Sequence, residues 1–136
     1  RLGQCIESTF YLTKTCKIEA TITATGEDDV FGFAFGACDD KTEVYSIRFD
    51  MKTKKIIMSK DDLTRGTNPT QTDVALPIPA NKQFNVKIVV EKSVCVMYVN
   101  EQVAFSNRID KMPENPWAIF TDKGTEVSFS NIKVYE

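Results

Sequence analysis

The sequence predicts an all-β protein in which two antiparallel sheets pack face to face as a sandwich. Apolar and polar side chains alternate along several segments, and turn-forming residues separate these segments at short intervals. No segment shows the 3.6-residue apolar period of an amphipathic helix. The chain has 136 residues, the size of one domain, so we expect residues 1–136 to form a single β-sandwich.

The strands with the clearest pattern each place one apolar face toward a core. In residues 17–24, Ile18, Ala20 and Ile22 alternate with polar side chains, which predicts a strand with one wet face. Residues 44–51 and 84–91 repeat the pattern. Their apolar stripes are Tyr45, Ile47, Phe49 and Met51 in the first, and Phe84, Val86, Ile88 and Val90 in the second.

Turn signals divide the rest of the chain into further short strands. The predicted turns lie at residues 52–54, 92–93, 100–101 and 122–124, and the strands between and after them at 55–60, 94–99, 102–107, 117–121 and 126–135. Asn100 suits a tight hairpin because asparagine tolerates positive φ. A break in alternation near Asn131 predicts a β-bulge.

Two segments are less regular. Residues 31–37 predict a strand with a phenylalanine face and a small-residue face containing Gly32 and Gly36, where a sheet, loop or ligand could approach closely. Residues 61–79 contain three prolines and predict a long loop with a short strand at 74–76. Many short antiparallel strands at this spacing indicate a concanavalin A-like jelly roll.

Composition excludes several classes of function. Net charge is −2, from 17 basic and 19 acidic residues, so no basic field for nucleic acid is expected. No apolar stretch reaches the roughly 18 residues of a membrane-spanning helix. The chain has no histidine, which removes the Ser-His-Asp and Cys-His sites. We therefore expect no catalytic residue, cofactor or metal site in this chain.

Paired carboxylates and cysteines leave alternatives open. The acid pairs at residues 27–29, 39–40 and 61–62 are interpreted as solvated turns, with a structural calcium site as the alternative. The four cysteines, Cys5, Cys16, Cys38 and Cys95, are interpreted either as small buried thiols or as one or two disulfides, with Cys5 and Cys16 as a candidate pair.

Sugar binding is the one ligand function that the residue types support. Sugar rings have apolar faces that stack on aromatic side chains, while planar polar groups bind their hydroxyls. The candidate contacts are Trp117, Tyr98, Arg48, Arg65 and Asn100. Tyr135 and Arg108 are further candidates, and core packing is the alternative for Trp117 and Tyr98.

Residues 84–109 carry a family resemblance. Glu91-Lys92-Ser93 lies at the first turn of this segment, Tyr98-Val99-Asn100-Glu101 at the second, and Asn107-Arg108-Ile109 follows. This segment resembles part of the C-terminal β-sandwich of glycoside hydrolase family 32, the family of the invertases, levanases and inulinases. Val96 and Gln102 replace an acid and a glycine that the family usually has there, which indicates a divergent member.

The resemblance implies an accessory role. The catalytic motifs of that family lie in a separate N-terminal propeller and have no match here. The expected function is thus a non-catalytic domain of a fructan- or sucrose-cleaving hydrolase, which stabilises the propeller and contacts oligosaccharide or other subunits. The alternative is an autonomous carbohydrate-binding module. Arg1 in place of methionine indicates a processed piece of a longer protein. The resemblance implies that this piece is the C-terminal part of a larger glycoside hydrolase. The resemblance indicates a periplasmic or extracellular location, which the sequence itself leaves open.

Overall fold

The structure is a computed structural model, and it describes residues 4–11, 15–35, 43–62, 70–91, 94–108, 116–123 and 127–135. These residues form eleven strands and contain no helix, so none of them forms a helix able to span a membrane. The strands are β1 Gln4–Tyr11, β2 Thr15–Ala24, β3 Val30–Phe35, β4 Glu43–Asp50, β5 Lys55–Asp62, β6 Thr70–Ala75, β7 Gln83–Glu91, β8 Val94–Val99, β9 Gln102–Arg108, β10 Pro116–Lys123 and β11 Val127–Tyr135.

The strands form two sheets, and every pairing between neighbours is antiparallel. The six-stranded sheet has the order β1-β10-β3-β4-β5-β6, and the five-stranded sheet has the order β11-β2-β7-β8-β9. This arrangement confirms the predicted all-β, two-sheet antiparallel sandwich.

Phenylalanine rings join the two sheets across the core. Phe31 and Phe49 of the six-stranded sheet stack with ring centroids 5.3 Å apart, and both lie near Phe84 of the five-stranded sheet, at 6.2 and 5.8 Å. Phe129 of β11 meets Phe31 and Phe33 edge to face. Such ring–ring contacts stabilise the core beyond the burial of apolar surface alone. The aromatic cluster therefore fixes how the two sheets face each other.

From residue 94 onward the predicted strands agree with the structure to within two residues, but β10 continues to Lys123 where a turn is predicted at 122–124. The predicted turn at 92–93 and Gly124 lie outside the described residues. Residues 94–99 form β8 as predicted, and Asn100 and Glu101 form the two-residue turn to β9 with φ values of 50° and 68°. The predicted bulge near Asn131 is also present, because the β11–β2 register shifts between Ser130 and Lys133 and Asn131 has φ of 51°.

The segment from 61 to 79 departs from its prediction. β5 continues to Asp62, and the second strand of the segment is Thr70–Ala75 rather than 74–76. Pairing with β5 explains the difference, because Thr70–Ala75 completes the ladder along β5 although its sequence is mostly polar. Residues 63–69 lie outside the described residues.

The outer face of the six-stranded sheet carries small residues beside larger ones. Gly32, Ser46 and Ser59 lie on the side away from the phenylalanine core, and we call the surface that they form the small-residue face. The larger side chains of Arg48, Ile57 and Phe120 lie on the same side of the sheet. Ser46 is completely buried and Ser59 is 4% exposed, and their hydroxyl oxygens share a hydrogen bond of 2.8 Å. The predicted small-residue side of residues 31–37 therefore exists over its described part, where Gly32 is buried.

Two of the four cysteines are defined by the structure. Cys16 of β2 and Cys95 of β8 form no disulfide and are buried in the core, as the first interpretation expected. The candidate Cys5–Cys16 disulfide is wrong, because Cys16 forms no disulfide and the two residues lie in different sheets. Nothing is described for the side chain of Cys5, and Cys38 lies outside the described residues.

Candidate functional site

The strand register brings four polar or aromatic side chains into one line on the outer face of the five-stranded sheet. Lys133 of β11 pairs with Glu19 of β2, Glu19 pairs with Lys87 of β7, and Lys87 pairs with Tyr98 of β8. Paired residues of antiparallel strands share a face, so these four form a single row that we call the Tyr98 row. The inward neighbours Ile18, Ile88 and Met97 are fully buried.

An open groove with a volume of about 810 Å³ follows this row. The residues of the row line the groove together with polar residues on either side and two buried apolar residues, Ala20 and Val86. The lining residues are Glu19, Ala20, Thr21, Asn85, Val86, Lys87, Tyr98, Glu101, Asn131 and Lys133. Its volume lies within the roughly 300–1,000 Å³ of typical ligand sites.

Backbone geometry at both ends shapes the groove. The β8–β9 turn places Glu101 at one end, and the bulge at Asn131 forms part of the other. Asn100 fastens the turn to β7, because its side-chain oxygen accepts the backbone N–H of Asn85 at 2.9 Å. Its own N–H donates to the Asn85 carbonyl at 2.8 Å. These two bonds hold Asn85 and the adjacent turn in fixed positions.

The charges of the groove alternate in sign. Glu19 stands between Lys87 and Lys133 in the row, and its carboxylate also lies 3.6 Å from the ammonium of Lys17. Glu101 supplies a second carboxylate at the turn. The described residues that line the groove include two lysines and two glutamates, so their charges balance, and they offer both hydrogen-bond donors and acceptors.

The structure separates the predicted sugar contacts onto two sheets. Tyr98 lines the groove and Asn100 lies at its edge, whereas Arg48 and Trp117 belong to β4 and β10 of the six-stranded sheet. The guanidinium of Arg48 lies 5.6 Å from the centre of the Phe120 ring. Arg65 lies outside the described residues, and nothing is described for the Trp117 side chain. The five candidates therefore do not form one site.

Of the two further candidates, only Tyr135 has a described side chain, and it does not line the groove. Tyr135 is 43% exposed on β11, and the ammonium of Lys17 lies 4.5 Å from the centre of its ring. Arg108 ends β9, and its side chain is not described.

Sequence reasoning missed most of the groove. Glu19, Asn85, Lys87 and Lys133 occupy the polar positions of alternating strands, and such positions usually indicate only a solvated face. One feature of the sequence could have predicted these groove residues. Tyr98 occupies an outward position of residues 94–99, and the preceding strand has Asn85 and Lys87 at outward positions.

The acid pairs give no catalytic arrangement among the described residues. Glu27 and Asp28 are exposed as predicted, but Asp29 is only 2% exposed, so the interpretation of this group as wholly solvated is wrong. Its carboxylate accepts the backbone N–H of Gly26 at 2.9 Å and closes the β2–β3 turn. In the described part of the chain, no cluster of three or more metal-binding side chains occurs. Asp39 and Asp40 lie outside it, and Asp61 and Asp62 end β5 rather than forming a turn.

Solved structures with the same fold belong to enzymes and to binding modules. A wild-type fructosyltransferase from A. japonicus has a TM-score of 0.80 and 16% identity, and the match covers 99% of this chain but 24% of that chain. The carbohydrate binding module CBM66 from Bacillus subtilis has a TM-score of 0.77 and 16% identity, covering 97% of this chain and 81% of that one. The galectin LEC-6 from Caenorhabditis elegans has a TM-score of 0.75 and 12% identity, covering 99% and 94%. At these identities the likeness shows the fold.

A family profile gives the relationship. The model described as "GH32, BT1760-like, C-terminal domain" matches residues 7–134. None of the curated proteins compared with this chain matches it. A C-terminal domain of this kind is a non-catalytic accessory domain of glycoside hydrolases, and the chain spans about a quarter of the length of the fructosyltransferase. Since the profile extends over nearly the whole sequence, the chain belongs to the BT1760-like C-terminal domain family of glycoside hydrolase family 32.

Proposed function

We propose that this chain is the accessory β-sandwich of a glycoside hydrolase that cleaves fructans or sucrose, and that it stabilises a catalytic propeller in the same polypeptide. The family match over residues 7–134 carries the proposal. The alignment of almost the whole chain with only a quarter of a fructosyltransferase supports it, because the remaining three quarters of such an enzyme must contain the catalytic domain.

The core of the sandwich explains how such a domain could stabilise a partner. Its phenylalanines and aliphatic residues are already buried between its own sheets, so the domain can fold first and offer a rigid surface. Interfaces between domains of one chain typically bury about 600–1,500 Å². Contact with a preformed sandwich would then slow the unfolding of the propeller without any change in its chemistry.

The test compares the two-domain parent protein with its propeller alone. We expect the propeller alone to unfold at a lower temperature and to lose activity sooner on heating, while its initial rate of fructan hydrolysis at low temperature stays similar. This chain alone should release no sugar from levan, inulin or sucrose. Equal melting temperatures for the two proteins, or hydrolysis by the isolated chain, would contradict the proposal.

Carbohydrate binding is the second candidate function. The observation that favours it is the groove, where the half-buried Tyr98 lies beside the amide and charged side chains of Asn85 and Lys87 on a solvent-facing sheet. The test is calorimetric titration of the chain with levan, inulin and fructose. Heat of binding with a defined stoichiometry is expected, and the absence of both heat and NMR shift changes at millimolar sugar would count against it.

A further inference from the structure

The groove runs across the strands, along the Tyr98 row. Its members lie on four consecutive strands, β11, β2, β7 and β8. Since neighbouring strands are about 4.8 Å apart, the row spans roughly 14 Å. A groove of this length with a volume of about 810 Å³ is larger than one sugar ring requires, and it is open along its side. The shape therefore suits a segment of a chain of several rings.

The row has different chemistry at its two ends. Tyr98, at the β8 end, is half-buried, and it is the one aromatic side chain among the described residues that line the groove. An aromatic face there suits the apolar face of a sugar ring. Lys87, Glu19 and Lys133 continue the row with charged groups that donate to or accept from hydroxyls. One ring would stack at Tyr98 while the next rings lie along the charged part of the row.

The alternating charges select against an anionic ligand. Lys87 and Lys133 could each attract a carboxylate or phosphate, but Glu19 lies between them and Glu101 stands beside Tyr98. A sugar acid or a phosphate bound along the row would bring its charge close to these carboxylates, which costs free energy. A neutral polyhydroxyl chain meets no such repulsion.

Part of the groove is held in place before any ligand arrives. Asn85 is bound through its backbone to Asn100 by two hydrogen bonds, at 2.9 and 2.8 Å. The Asn85 side-chain oxygen also accepts the hydroxyl of Thr21 at 3.3 Å across the strands. These contacts fix the carboxamide of Asn85 beside the row, which lowers the entropy cost of binding.

We infer that the groove along Tyr98, Lys87, Glu19 and Lys133 is a binding site for a neutral oligosaccharide of several rings, with one ring stacked on Tyr98. This inference rests on the carbohydrate-binding function proposed above and adds its location, the ligand charge and the ligand length. The accessory role toward the propeller does not depend on it.

The test uses the whole chain and matched tyrosine variants. Short inulin-type and levan-type oligosaccharides are titrated by calorimetry into the wild type, Tyr98→Ala, Tyr98→Phe and Tyr135→Ala. Tyr98→Ala should weaken binding about tenfold or more, as expected for the loss of a stacked ring. Tyr98→Phe should bind within about threefold of the wild type, because the ring remains. Tyr135→Ala is the control, since it removes an exposed tyrosine of the same sheet that does not line the groove.

Ligand length and charge are tested with the same protein. Affinity should rise from the monosaccharide to the tetrasaccharide and change little between low and high salt, because the ligand is uncharged. A neutral gluco-oligosaccharide of the same length shows whether fructose rings are required, and polygalacturonate supplies an anionic chain. Tighter binding of polygalacturonate than of the neutral chains would overturn the inference.

The experiments distinguish an error in the position of the site from an error in the proposed functions. If oligosaccharide binds but Arg48→Ala abolishes binding while Tyr98→Ala does not, the site lies on the six-stranded sheet and the groove assignment is wrong, although carbohydrate binding stands. If no sugar binds, both the groove assignment and the binding function fail. The effect of the chain on the melting temperature of the propeller still decides the accessory function. Circular dichroism of each variant excludes loss of binding through unfolding.

Discussion

The outer faces of the two sheets differ in how far solvent reaches them. On the small-residue face, Ser46 is completely buried and the hydroxyls of Ser46 and Ser59 bond to each other. On the outer face of the five-stranded sheet, Asn85 and Lys87 are exposed and an open groove crosses the strands. Both faces turn away from one core. The proposed oligosaccharide site is placed on the five-stranded sheet because the polar groups exposed there can still form hydrogen bonds with a ligand.

The largest effect should come from adding a methyl group at Gly32. A Cβ at Gly32 would collide with the carbonyl oxygen of Ile47 on the neighbouring strand and lie 3.0 Å from its carbonyl carbon. Because backbone cannot move aside cheaply, Gly32→Ala should lower the free energy of unfolding by about 3 kcal/mol. Urea denaturation measures this.

The matched control for Gly32→Ala lies on the open face. Ser128→Thr adds one carbon at an exposed position of β11, where stability should change by less than about 0.5 kcal/mol. If Gly32→Ala and Ser128→Thr had equal effects, the close approach of the Ile47 backbone to Gly32 would not limit the side chain at this position.

The buried hydroxyl pair should show the next largest effect. Ser46→Ala leaves the Ser59 hydroxyl without its 2.8 Å partner, which should cost about 1–2 kcal/mol. The double variant Ser46→Ala/Ser59→Ala should be less destabilised than the sum of the single variants, since it leaves neither hydroxyl unpaired. Thermal unfolding of all four proteins gives the coupling free energy, and simple additivity would show that the pair is hydrated.

The third prediction tests whether the core is tightly packed beneath the five-stranded sheet, at Cys95. Burial, and to a smaller extent the nearby Cys16, raises the pKa of the Cys95 thiol from 9.0 to about 12. The unfolded chain then loses this proton near pH 9 while the folded chain keeps it until near pH 12. Stability should therefore fall with rising pH in this window, by about 1.4 kcal/mol per unit for this group.

The comparison that isolates this group is the wild type against Cys95→Ala. The difference in unfolding free energy between the two proteins should decrease from pH 9 to pH 11, because the alanine variant lacks the thiol. A constant difference would mean that water reaches Cys95 through the five-stranded sheet.

The smallest effect should come from the turn that fastens the groove. Asn100→Gly keeps a residue that accepts φ of 50° but loses the bond to the Asn85 N–H, so stability should fall by about 1 kcal/mol. Oligosaccharide affinity should fall as well, since Asn100 positions Asn85. Asn81→Gly is the control, because it removes a side-chain bond of the same type to the Gln83 N–H at the start of β7 and away from the groove.

The sequence predicted local structure well where alternation and turn chemistry agree. Residues 94–101 show both signals, and their strand and turn match the structure within a residue. Thr70–Ala75 shows neither signal strongly, and its strand depends on pairing with β5. The strand Gln4–Tyr11 was not predicted, because its apolar and polar residues do not alternate regularly and its partner β10 is more than a hundred residues away.

The candidate site was less predictable, because it depends on which distant strands become neighbours. Glu19 and Lys133 are far apart in sequence and become neighbours only when β11 pairs with β2. Alternation shows which side chains point away from the core, but it does not show which of them are exposed. Ser46 and Lys87 both point away from the core, and of these two only Lys87 is exposed. Sheet order and exposure are properties of the assembled fold, which explains why the sequence offers Tyr98 as a candidate but does not predict the groove beside it.

The bulge at Asn131 has a consequence for association between copies of the protein. β11 ends the order of the five-stranded sheet and carries Ile132 with 42% of its surface exposed. A flat, apolar terminal strand invites another chain to extend the sheet and begin an aggregate. The left-handed residue interrupts the ladder between Ser130 and Lys133, so an incoming strand would find no continuous row of backbone groups. The irregularity that shapes one end of the groove therefore also discourages fibril-like growth from this edge.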